Sequence, residues 1–146
     1  MKIFLAGTID DGKSTDWQGE IVKYFEDNHK YKDLIIYNPR RYDFPEHPKE
    51  EDVRAQIRWE QERLDIADHI VMVFKDGSKS PITLLEMGLY AKSDKLTVFC
   101  SENYWRYWNV SETARKYHFP LYEDTDVKSI INYIDGLYNY NTWTQD

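Results

Sequence analysis

The sequence predicts an α/β domain built on a doubly wound, mostly parallel sheet of five strands with flanking helices. Two observations lead there. Apolar runs of strand length alternate with segments of helical period along the whole chain. The middle run, His69-Ile70-Val71-Met72-Val73-Phe74, is continuously apolar, as a central strand covered on both faces must be.

Each element follows from local chemistry. Lys2 to Ala6 reads as the first strand. Asp16 to Asn28 reads as a helix, with Asp16 as cap and Trp17, Ile21, Tyr24 and Phe25 on one face. Leu34 to Tyr37 is the second strand, ended by Asn38-Pro39-Arg40-Arg41 because proline cannot continue a ladder. Pro45 and Pro48 punctuate a polar loop, after which Glu51 to Ala67 resumes a helix with Val53, Ile57, Leu64 and Ala67 directed inward. Asp76-Gly77-Ser78-Lys79 turns out of the third strand. Ser80 is placed to cap the next helix and Pro81 to open it, so Glu86 falls about one and a half turns in. Leu96 to Cys100 is the fourth strand, a helix follows Asn109, Phe119 to Tyr122 is a short fifth strand, and Asp126 to Tyr138 is an amphipathic helix.

Composition bounds the function. The 146 residues, 41% of them hydrophobic, form one domain over 1–146 that buries a core without staples. A net charge of −7 argues against a nucleic acid polymer as partner, since such binders depend on clustered Lys and Arg. Small molecules are the expected ligands. Cys100 is the only cysteine, which excludes an intrachain disulfide and fits a reducing cytoplasm. The four histidines show no metal-ligand spacing, so neither a metal nor a cofactor is expected. No segment reaches membrane-spanning length, and the N-terminal apolar run is too short for a signal peptide; the expectation is a cytoplasmic protein. Aromatic residues make up 16% of the chain, many in Tyr104-Trp105-Arg106-Tyr107-Trp108 and in the tail Tyr138-Asn139-Tyr140-Asn141-Thr142-Trp143, as expected of core and subunit contacts.

Two readings compete for the loop after the first strand. Gly7-Thr8-Ile9-Asp10-Asp11-Gly12-Lys13-Ser14 matches the phosphate-loop pattern letter for letter. A triphosphate site of this kind would use Lys13 and Ser14, yet Asp10 and Asp11 would oppose the phosphates. The second reading makes the loop part of a nucleoside site closed by Glu86. Ligands of doubly wound folds bind outside the carboxyl ends of the strands, where Gly7 to Asp11, Asn38 to Arg41 and Asp76 to Glu86 converge. A carboxylate between Leu85 and Met87 is costly to bury, which suits a group whose raised basicity is used.

These segments carry a resemblance. Phe4 to Asp10 with Asp16-Trp17-Gln18, Asn38 to Arg41, Gln56 to Glu60, Ala67-Asp68, Ser80-Pro81-Ile82 with Leu85 to Gly88, and Asn109-Val110 together resemble the nucleoside 2-deoxyribosyltransferase-like family, in order over residues 2 to 110. The resemblance implies a flavodoxin-like fold, a homo-oligomer with shared active sites and a nucleoside or nucleotide as small-molecule partner. It implies Glu86 as nucleophile, Asp68 as the acid that handles the leaving base's proton, and Gly7, Thr8, Asp10, Trp17, Arg40 and Ser80 around the substrate. Asn109 matches the family position that reaches a neighbouring subunit's sugar pocket. Classical transferases carry an aspartate where this chain has Ser80; serine there resembles relatives that hydrolyse nucleoside 5′-monophosphates. The implied activity is cleavage or transfer of the N-glycosidic bond of a 2′-deoxynucleoside or its 5′-monophosphate through a glycosyl-glutamate ester. Rivals are the phosphate-loop hydrolase and a nucleotide-binding module without turnover.

Overall fold

The computed structural model describes residues 1–9 and 15–145. Among these, five strands alternate with five α-helices: β1 Lys2–Gly7, α1 Trp17–Glu26, β2 Ile35–Tyr37, α2 Glu50–Ile66, β3 His69–Phe74, α3 Pro81–Tyr90, β4 Leu96–Cys100, α4 Tyr107–Tyr117, β5 Leu121–Tyr122 and α5 Val127–Thr144. A 3-10 turn, His29–Tyr31, not anticipated from the sequence, precedes β2. The sheet order is β2-β1-β3-β4-β5 with every pairing parallel. This is the flavodoxin-like doubly wound arrangement, whose order reverses between β1 and β3.

The period-two geometry of strands sorts the core into two layers. On one face, Phe4 and Ala6 of β1 with Ile70, Met72 and Phe74 of β3 meet Leu64 of α2, Met87 of α3 and Val110 of α4. On the other, Ile3 and Leu5 with Val71 and Val73 meet Trp17, Ile21 and Phe25 of α1 and Ile130 and Ile134 of α5. The β3 residues from Ile70 to Phe74 are all buried, in agreement with the central placement read from the sequence.

The elements differ from expectation at identifiable places. Val53 and Ile57 of α2 are 40% and 46% exposed rather than inward, because only the C-terminal half of α2, from Trp59 to Leu64, lies against the sheet. Helix α4 begins at Tyr107, ahead of Asn109, and α5 runs on to Thr144. The short fifth strand contracts to Leu121–Tyr122.

Both ends of the helix pair α2 and α3 are tied. The backbone N–H of Lys49 donates to Asp52 Oδ2 at 2.9 Å at the start of α2. At its end, Lys95 Nζ donates to the carbonyls of Leu64 (2.6 Å), Asp65 (2.9 Å) and Ala67 (3.2 Å), satisfying groups a helix terminus leaves open. The hydroxyl of Tyr90, at the end of α3, donates to Asp65 of α2. Among the described residues no helix is long and apolar enough to cross a membrane.

Candidate active site

Helix α2 packs on β1 and α3 on β3, so the two helices lie side by side over the point where the strand order reverses. Each brings one carboxylate. Glu86 of α3 is only 8% exposed, and among the described residues no hydrogen bond offsets its desolvation. Burial first, and the nearby charge of Glu60 second, push its pKa up from 4.5 to about 8. Glu60 of α2 is half-buried, and its own desolvation raises it to about 7, against a lowering contribution from a Gln56 hydrogen bond. Both acids are therefore raised toward neutral pH, Glu86 further than Glu60.

Glu60 lies within the matching segment Gln56 to Glu60, yet the resemblance assigns it no role. Its signal was the α2 spacing: Val53, Ile57, Glu60 and Leu64 share one helical face, and an acid on that stripe has the same anomaly as Glu86 between Leu85 and Met87. Gln56 carries the site further. Its Nε2 donates to the carbonyl of Pro39 at 3.1 Å, linking the Glu60 helix to the loop after β2.

Asp68, expected as proton handler, is not brought to Glu86. It precedes β3 at the amino end of the sheet, and its Oδ2 accepts the backbone N–H of Lys2 at 2.7 Å. The physical reason is direction: β3 carries the chain from Asp68 to the carboxyl edge, and Glu86 lies beyond that edge on the returning helix. Trp17, expected around the substrate, is 1% exposed in the α1 layer, on the opposite face of the sheet from Glu86. A Cβ at Gly7 would come within 2.4 Å of the Trp17 ring, so the two pack as one unit beneath the loop.

Arg40 is buried at the end of β2, where its Nε pairs with Asp16 Oδ1 at 3.0 Å and its Nη2 donates to the carbonyl of Thr15 at 3.2 Å. Asp16 is also the cap of α1: Oδ1 accepts the N–H of Gly19 at 2.9 Å, and Oδ2 accepts the hydroxyl of Tyr42 at 2.9 Å. Arg40 thus holds the end of the β1–α1 loop. Thr8 and Gly7 are half-buried at the carboxyl end of β1. Asp10, Lys13 and Ser14, on which the phosphate-loop reading depends, lie outside the described residues.

Ser80 occupies the cap position of α3, but its hydroxyl does not cap. Its backbone is left-handed (φ 52°, ψ 49°), and Ser80 Oγ lies 3.0 Å from Ser78 Oγ, whose hydroxyl reaches the Lys75 carbonyl at 2.8 Å. Asn109 is exposed in the first turn of α4, where its carbonyl accepts the Thr113 hydroxyl at 2.6 Å. A cavity of about 240 Å³ lined by Phe25, Tyr31, Leu34 and Ile36 sits beside β2, away from the carboxylate pair.

With that geometry in hand, comparison with known proteins is informative. Residues 1–104 match the profile of the family described as nucleoside 2-deoxyribosyltransferase like. Among solved structures, the chain is similar to the 2-deoxyribosyltransferase of Bacillus psychrosaccharolyticus (18% identity, 68% of this chain and 72% of that one, TM-score 0.52). It is similar also to a conserved protein of Enterococcus faecalis V583 (11% identity, 93% and 98% covered, TM-score 0.60). A third is the CMP N-glycosidase of Clostridium botulinum (12% identity, 92% and 98% covered, TM-score 0.56). No curated protein matches the chain. At such identities the solved structures speak for the fold, whereas the family profile covers well over half of the sequence. The chain belongs to the nucleoside 2-deoxyribosyltransferase-like family.

Proposed function

We propose that the chain cleaves or transfers the N-glycosidic bond of a 2′-deoxynucleoside or its 5′-monophosphate, with Glu86 as nucleophile and Glu60 as the acid and base. The observation that carries this reading is the buried Glu86 carboxylate of α3 with the half-buried carboxylate of Glu60 of α2 near it, both raised toward neutral pH. Two carboxyl groups that hold one proton offer the two things the reaction needs at once, an anionic nucleophile and a proton donor.

The reacting form is the less populated one, in which the proton sits on Glu60 although Glu86 has the higher proton affinity; in the first half-reaction an oxygen of ionised Glu86 bonds to the anomeric carbon as the bond from that carbon to the base nitrogen breaks. The bonding pair leaves with the base, and protonated Glu60 delivers a proton to it. In the second half, a water or an incoming base attacks the same carbon and gives its proton to Glu60. The ester bond opens and Glu86 is again a carboxylate. Whether the outcome is hydrolysis or transfer depends on how far water is kept from the ester.

The site is completed by a second copy of the chain in this reading. Ile82, Leu85 and Leu89 form a stripe on α3 that is 61%, 58% and 63% exposed, and Val53 and Ile57 of α2 are exposed as well. Covering these stripes would further exclude water from Glu86, and Asn109 is the residue the partner would lend.

The test is base release from a panel of deoxynucleosides and deoxynucleotides, with and without an acceptor base. Glu86→Ala abolishes release, while Lys13→Ala only weakens it. The reverse order, with a Mg²⁺ requirement, contradicts the proposal and favours a phosphate-loop hydrolase; nucleotide affinity with no release from the unaltered protein favours a binding module.

A further inference from the structure

Resting on that reaction, we infer that Tyr104, seconded by Trp105, is a positioning residue that holds the start of α3 and thereby sets Glu86 against Glu60.

The geometry concentrates on one carbonyl. The Lys79 carbonyl, immediately before Ser80, accepts the Tyr104 hydroxyl at 2.6 Å and the Trp105 Nε1–H at 3.1 Å. These donors come from the segment after β4, a different part of the chain from the loop they hold. Both are themselves fixed. Tyr104 is 2% exposed, its ring lies 4.9 Å from that of Phe74 at the end of β3, and its backbone N–H donates to the Ser101 carbonyl at 3.0 Å. Two cations lie close to the Trp105 ring, Lys79 Nζ at 4.4 Å and the Arg106 guanidinium at 4.0 Å from its centre.

The fastening is needed because the junction it grips is unfavourable. Ser80 is left-handed at φ 52°, a conformation that side chains other than glycine's adopt at a cost and keep only where the surroundings enforce it. Its hydroxyl does not cap the helix, and Pro81 has no N–H, so the first turn of α3 lacks the usual local stop. The first bond of the helix, Leu84 N–H to the Ser80 carbonyl at 3.0 Å, starts from this residue. A rotation of the Lys79–Ser80 peptide therefore turns α3 as a body. Glu86 is six residues along it, and at the other end Tyr90 is held on Asp65 of α2. Glu86 is thus suspended between two tyrosine hydroxyls, one fastening each end of its helix. A displacement of about 1 Å at a nucleophile costs up to about a hundredfold in rate.

Tyr104→Phe removes the hydroxyl and keeps the ring on Phe74. In base-release kinetics on the folded protein, kcat falls about tenfold and KM stays within about twofold, because the nucleophile is misaligned while the binding surface is untouched. The control is Tyr107→Phe, whose hydroxyl reaches Glu123 rather than α3 and whose loss leaves kcat unchanged. Independently of turnover, the titration midpoint of the Glu86 carboxyl, followed by carbon NMR, moves down toward an ordinary glutamate in Tyr104→Phe. Among the described residues the titratable groups that act on it are Glu60 of α2 and Tyr90, and loosening α3 both hydrates Glu86 and separates it from Glu60. An unchanged midpoint, or a kcat within twofold of the unaltered protein, overturns the inference. If the unaltered protein releases no base, it is the proposed reaction that fails, and the midpoint alone decides on the clamp.

Discussion

Replacing Glu86 with glutamine changes how stability depends on pH, and the structure gives the sign and the size. In the folded chain Glu86 holds its proton up to about pH 8, whereas in the unfolded chain it releases it near 4.5. Between those values the folded state binds more protons than the unfolded, so stability must fall as pH rises through the window and level off above it. At about 1.4 kcal/mol per pH unit, the span from 4.5 to about 8 corresponds to at most about 5 kcal/mol, and relaxation and water entry in a real interior bring that to about 2–4 kcal/mol. Glutamine keeps the volume and removes the titration. Urea unfolding followed by tryptophan fluorescence at pH 5, 7 and 9 checks this. The unaltered protein loses stability from pH 5 to 9, and Glu86→Gln loses about 2–4 kcal/mol less over that range, the remainder being the slope of Glu60. The slope is diagnostic, since any packing cost of the amide appears at every pH. Equal slopes in the two proteins would refute a buried, proton-holding Glu86.

Three further outcomes follow from the same geometry. Glu60→Gln slows base release by a factor of about 10²–10⁴ for poorly leaving bases and much less for bases that depart without a proton, whereas Asp68→Asn stays within about threefold, as steady-state rates on paired substrates will show. Lys95→Met removes three charge-assisted bonds from the end of α2 and costs about 1.5–3 kcal/mol in denaturant unfolding, with little effect on the rate per folded molecule. Leu85→Asp, in the middle of the exposed α3 stripe, converts an oligomer to a monomer in sedimentation velocity; a monomeric unaltered protein at micromolar concentration contradicts the shared site.

The legibility of this chain in its sequence was uneven for physical reasons. Strands β3 and β4 were readable to the residue because a strand buried on both faces is continuously apolar and ends where polarity returns. Helix α2 was readable in extent but not in orientation. Its apolar stripe is continuous from Val53 to Leu64, and nothing local distinguishes the part that meets the sheet from the part left exposed. Glu86 stood out because its neighbours are apolar on both sides. Glu60, between Trp59 and Gln61, did not, since its significance lies in a contact across 26 positions that only the packing of α2 beside α3 creates. The place of Asp68 was open for the converse reason. A residue at a helix-to-strand junction can be assigned to either edge of the sheet by a shift of register, and the Lys2 N–H settles which. The left-handed Ser80 was invisible in a segment that has the ordinary composition of a helix start.

The central claim, that Glu86 attacks the sugar, is tested most directly by trapping the ester. Glu60→Gln, which lacks the base needed to finish the reaction, is mixed with a 2′-deoxynucleoside bearing a good leaving base, quenched in acid and digested for mass spectrometry. The account predicts one deoxyribosyl group on the peptide containing Glu86, lost again when azide, an anionic nucleophile that needs no general base, is added before quenching. No adduct at Glu86, together with base release by Glu86→Gln at the rate of the unaltered protein, would contradict it.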